Sequence, residues 1–147
     1  MNALHTISMR FGLMAMAAAT LVFAAVPSMA QKGKAASDFK AASAVWKKVQ
    51  MHLSALDKTI ASKKLKTVHV HAFAVRDQVK LLPAKSKGLS AENHSNLDKG
   101  VKTVAGLAKE LDEAGDNSKQ AEAEALNKKF HTVLDAIAGL YPAGALK

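Results

Sequence analysis

The chain of 147 residues contains no cysteine. Disulfide staples, thiolate metal sites, iron–sulfur clusters and covalent haem attachment through a Cys-x-x-Cys-His motif are therefore excluded. Only three prolines interrupt it, and aromatics are scarce: Trp46, Tyr141 and five phenylalanines. Arginine is also rare beyond the first residues, where Arg76 stands alone among lysines. With no interleaving of basic and aromatic residues either, nucleic acid is not an expected partner. No segment alternates apolar and polar residues with period two for long enough to form a strand. What remains is rich in Ala, Lys, Leu and Val, a mixture that favours helix.

The one long apolar run lies at the start. Arg10 precedes an apolar stretch from Phe11 to Val26, Pro27 ends it, and Ser28-Met29-Ala30 offers small residues at the positions a signal peptidase reads. The run is too short and too alanine-rich for a membrane span. We read residues 1–30 as a cleaved signal peptide and residues 31–147 as a single exported, periplasmic domain with no transmembrane segment.

Four apolar stripes recur at steps of three and four. They are Trp46, Val49, Leu53, Leu56 and Ile60, preceded by Phe39 and Ala42; then Leu65, Val68, Ala72, Val75, Val79 and Leu82; then Leu97, Val101, Val104, Ala108 and Leu111; and last Ala123, Leu126, Phe130, Val133, Ile137 and Leu140. Each is the buried side of an amphipathic helix. The stripe breaks phase at Lys63 and Lys64, which places a turn near 61–64. Pro83 and Gly88 separate the second and third segments, with Ser90 as N-cap. Gly115 is the expected C-terminal cap of the third, followed by N-cap residues Asp116, Asn117 and Ser118. Glu122 and Glu124 complement the dipole of the fourth, and Pro142 and Gly144 close it. Helices are thus predicted over about 35–62, 64–82, 90–114 and 117–141. Such short connections join antiparallel neighbours, so the predicted fold is all-α: an up-down-up-down four-helix bundle.

Charge is unevenly distributed. Residues 31–87 hold twelve lysines and Arg76 against Asp38, Asp57 and Asp77; residues 88–147 hold seven lysines against nine acids. A basic first hairpin is suited to docking on an anionic envelope surface or an acidic protein partner.

The five histidines beyond residue 30 are the candidates for specific chemistry. At about 1.5 Å per residue, His52 lies roughly 15 Å from the first turn, His69 roughly 8 Å and His131 roughly 20 Å from the same end. His52 and His131 are therefore expected to approach across neighbouring helices, with His69 a third member and Met51 a soft partner. His71 is turned about 200° from His69 around a helix axis, and His94 belongs to the opposite end. Imidazole with thioether suits copper, another transition metal or a non-covalent haem. Met51 also has a plainer use as a filler of core gaps. Trp46 is expected as a core anchor. Arg76 and Asp77 read either as an ion pair to a neighbouring helix or as surface charge.

Catalysis is not expected. The serines occupy caps, turns and polar faces, and the carboxylates lie at polar or loop positions, without the nucleophile–base or buried-acid settings that reactions need.

In size, export signal, four short helices and Ala/Lys-rich faces, the chain resembles the periplasmic four-helix bundles of the cytochrome b562 and cytochrome c′ type. The segments from Val101 through Leu111 and from Gly115 to Tyr141 are the most similar in texture. The resemblance implies a haem-carrying electron-transfer fold. It assigns no ligand: the first helical turns offer no Met, His131 lies well short of Tyr141, and Cys-x-x-Cys-His is absent.

Overall fold

The computed structural model describes residues 38–147; the expected export signal and its cleavage point lie outside them. Among the described residues the chain is all-α, with no strand. It comprises α1 (Lys40–Ala61), a single 3₁₀ turn (Leu65–Thr67), α2 (Val68–Val79), the short α3 (Leu82–Lys85), α4 (Ala91–Asp116) and α5 (Gln120–Gly139). None of these helices is long and apolar enough to cross a membrane.

Helix α1 packs chiefly on α2, α2 on α4, and α4 on α5; α1 also touches α5 along a thinner seam. The four stripes are what these contacts bury. Ala42, Val49 and Leu56 of α1, all of Val68, Ala72, Val75, Val79 and Leu82, and Leu97, Val104, Ala108, Leu111 and Phe130 lose essentially all contact with solvent. Trp46 is a core residue as expected. Truncating a member such as Leu56 to Ala removes about 2–5 kcal/mol, the range for large-to-small changes in a packed interior. In α5 the inward side turns slightly from expectation: Leu134 is buried and Val133 only partly so.

The two helices that end near one another, α1 and α4, stop in the same way. Lys63 N–H donates to Ile60 O (3.0 Å) and Lys64 N–H to Thr59 O (3.0 Å); Ser118 N–H donates to Gly115 O (3.0 Å) and Lys119 N–H to Ala114 O (2.9 Å). This paired pattern needs one residue in the left-handed region, and Lys63 (φ 57°) and Ser118 (φ 55°) supply it. The turn expected near 61–64 is thus present. Gly115 corrects a different expectation, because it lies inside α4, which runs on to Asp116. Its lack of a side chain serves packing: a Cβ there would meet Leu65 O at 2.6 Å. Nor do Asp116, Asn117 and Ser118 cap α5. Lys119 holds that position without a side-chain bond, and Asn117 Nδ2 turns back to Glu113 O at 2.7 Å. Pro83 does not end a helix either; it lies in the first turn of α3, where a missing N–H is tolerated.

Ser90 caps α4 as expected, its Oγ accepting from Asn93 N–H at 3.2 Å. The opposite end of the molecule is tied by side chains. Ser86 is wholly buried; its Oγ donates to Leu82 O (2.6 Å) and accepts from Tyr141 Oη (2.6 Å). The Tyr141 ring meets Phe39 edge-on at 5.5 Å. Asn93 Nδ2 donates to Leu140 O (2.8 Å) and Ser43 Oγ to Lys147 O (2.7 Å), tying the start of α4 to the end of α5 and the start of α1 to the last residue.

Candidate functional site

Three of the four seams between helices carry a histidine pairing, and no two of them share one. In the α1–α5 seam, His131 Nε2 donates to Asp57 Oδ1 at 2.8 Å, and Asn127 Nδ2 donates to the same oxygen at 2.7 Å. In the α2–α4 seam, His69 Nδ1 lies 3.8 Å from Asp112 Oδ1. In the α1–α2 seam, His52 faces His71, ring centroids 6.4 Å apart and planes inclined by 34°.

Helix geometry explains the separation. From His52 to Asp57 is five residues, which at about 100° per residue places them some 140° apart on opposite flanks of α1. His52 therefore looks toward α2, and the contact of α1 with His131 falls on the other flank. His69 and His71 diverge in the same way on α2, as expected for a helix. Depth along the axis had placed His52 and His131 together; rotation about the axis sends them to different partners. Met51 is 59% exposed, so it fills no core gap and lies away from all three pairings. Among the described residues, no group of three or more His, Cys, Asp or Glu side chains is placed to hold a metal ion.

One ring nitrogen stands out. His71 Nδ1 is buried and has no hydrogen-bond partner among the described residues. A buried polar atom left in that state costs about 1–3 kcal/mol relative to a satisfied one. The α1–α5 seam also holds buried amide oxygens without donors, on Gln120 and Asn127, beside a hollow lined by Asp57, Ile60, Glu124 and Lys128.

The outer side of α1 is chemically distinct. Lys40, Lys47, Met51 and Lys58, spaced by seven, four and seven residues, form one exposed line directly opposite the buried stripe. Lys48 lies beside it, and exposed Lys63 and Lys64 continue the cationic surface around the turn. Lys66 is engaged elsewhere, donating to Asp116 O at the end of α4. Of the acids in this half, Asp57 and Asp77 are engaged, while Asp38 precedes α1 and is exposed. Asp57 serves the α5 seam, and Asp77 is held by Arg76 through two bonds of 2.8 and 3.1 Å, with Lys80 at 3.8 Å. The Arg76 guanidinium keeps the Asp77 carboxyl below its usual range. It also stacks 4.3 Å above the Phe73 ring, so Arg76 and Asp77 pair with each other on one helix, not across helices. Among the described residues, the large apolar side chains left exposed are Met51, Val70 and Leu81, all in this first half of the fold. Periodicity implies an exposed face on α1, and the alignment of three lysines with a solvent-facing Met follows from their spacing.

No family model, curated protein or solved structure matches this chain.

Proposed function

We propose that this is an exported, non-catalytic protein of the cell envelope, an antiparallel up-down-up-down four-helix bundle that docks on anionic lipid through the outer face of its first hairpin. The observation that carries this reading is the line of Lys40, Lys47, Met51 and Lys58, with no exposed carboxylate on α1. Lipid suits the surface better than an acidic protein does. The lysines are spread along a helix and a turn, a layout matched to a carpet of phosphates, and exposed Met51 stands in the same line, placed to enter the acyl boundary.

Magnitudes decide how much of the hairpin must engage. A lysine near an anionic bilayer contributes about 1 kcal/mol, so Lys40, Lys47, Lys48 and Lys58 alone give only about millimolar affinity. Adding Lys63 and Lys64 brings about 6 kcal/mol, or tens of micromolar, before any apolar insertion. Both α1 and its turn therefore lie against the surface in the docked state.

Co-sedimentation of the purified protein with vesicles tests the reading. Vesicles containing phosphatidylglycerol should retain it at low ionic strength and release it steeply near about 0.5 M salt, where the Debye length falls to a few ångströms. Equal retention by pure phosphatidylcholine vesicles, or no retention on either, contradicts it. In the second case an acidic protein becomes the better partner.

A further inference from the structure

We propose that His52 and His71 form a divalent transition-metal site that clasps α1 to α2. The two imidazoles come from different helices, are both half-buried, and face each other at 6.4 Å between centroids. With metal–nitrogen bonds of about 2.0–2.1 Å, two rings sharing one ion have centroids roughly 5–6.5 Å apart, so small rotamer adjustments suffice. His69 and His131 each have a carboxylate partner, whereas neither His52 nor His71 does. His71 Nδ1 has no hydrogen-bond partner among the described residues, and an ion taken on that nitrogen supplies one.

The donor set names the ligand class. Two neutral imidazoles without a carboxylate suit Zn²⁺, Cu²⁺ or Ni²⁺ and discriminate against Ca²⁺ and Mg²⁺, which require oxygen ligands. Among the described residues no third His, Asp or Glu converges on the pair, so water fills the remaining positions and the ion is exchangeable. Met51 is not a ligand: it precedes His52 by one step on α1, about 100° around the helix from it, and projects outward. Because the ligands lie on helices joined by the turn at 62–64, binding selects the packed arrangement over any state in which α1 and α2 separate.

Calorimetric titration of the purified protein with Zn(II) and Cu(II) tests the site. One equivalent is expected to bind. Loss of an outer-shell partner alone weakens metal sites by roughly 10–100-fold, so His52→Gln or His71→Gln should weaken binding at least tenfold. His69→Gln, His131→Gln and Met51→Leu should leave it within about twofold of the unsubstituted protein, a change too small for a lost ligand. A second readout needs no substitution. Substoichiometric Zn(II) should move the ring ¹⁵N resonances of His52 and His71 together while those of His69, His94 and His131 stay in place. Unchanged affinity in the His52 and His71 variants, or ring shifts confined to other histidines, overturns the proposal.

Discussion

The carbonyl oxygen of Leu65 stands 2.6 Å from the point a Cβ on Gly115 would occupy, so the 3₁₀ turn and the last turn of α4 touch backbone to backbone. A peptide oxygen cannot swing aside as a side-chain tip can. Gly115→Ala is therefore expected to destabilise the protein by about 1–3 kcal/mol, the overpacking penalty outweighing a helix-propensity gain of at most about 1 kcal/mol. Gly106, in the exposed middle of the same helix, has nothing within 4 Å of its would-be Cβ. There the propensity term acts alone, and Gly106→Ala should stabilise by about 0.5–1 kcal/mol. Urea unfolding of both variants measures the opposite signs directly.

Lys63 and Ser118 hold left-handed conformations that an L-residue adopts at a penalty of about 1–2 kcal/mol. Glycine removes that strain and returns part of the gain as unfolded-state entropy, about 0.5–1 kcal/mol. Lys63→Gly and Ser118→Gly should each raise stability by up to about 1 kcal/mol, and the double variant by more than either alone. Thermal unfolding of the single and double variants checks both statements. A loss of stability in either would mean that the strain is not stored at these positions.

Tyr141 links stability to alkaline pH. Burial pushes its phenol above the ordinary value near 10, although the bond to Ser86 works weakly the other way. The folded state thus favours the neutral phenol. Its contribution is fully present below the unfolded value and fades as pH rises through the folded one. Tyr141→Phe should destabilise by about 1 kcal/mol at neutral pH, since buried Ser86 Oγ loses a donor. It should also flatten the decline in stability above pH of about 10 relative to the unsubstituted protein, a comparison in which the lysines cancel. An unchanged alkaline slope would place the decline on other groups.

Much of the core was legible in the spacing of apolar residues. Trp46 through Ile60 and Leu65 through Leu82 are buried at the positions that steps of three and four select, because a one-sided stripe has only one way to leave water. The Ser90 cap was readable for an equally local reason, a side chain bonding to the next turn. Gly115 was misread because a glycine near a helix end has two uses, a left-handed cap or a close approach. Only the neighbour across the seam, Leu65, distinguishes them. Asp116, Asn117 and Ser118 looked like caps, yet the left-handed Ser118 spends the turn on ending α4 instead of opening α5. The histidines show the same limit. Sequence position fixes depth along a helix to within a turn, but whether His52 meets His71 or His131 depends on azimuth and on which helix lies on each flank. Neither is local.

The account rests on a cationic face of α1, which paired charge reversals test most directly. Lys47→Glu/Lys48→Glu and Lys128→Glu/Lys129→Glu change net charge equally, but the first pair lies on α1 and the second on α5, all four residues being exposed. Binding to phosphatidylglycerol-containing vesicles at low ionic strength should fall by at least tenfold in the α1 variant, since about 2 kcal/mol of attraction becomes repulsion. The α5 variant should bind within a few-fold of the unsubstituted protein, the effect expected of charges held away from the membrane. Equal losses in the two variants would mean that the membrane reads net charge without regard to face, and would contradict the proposed docking surface.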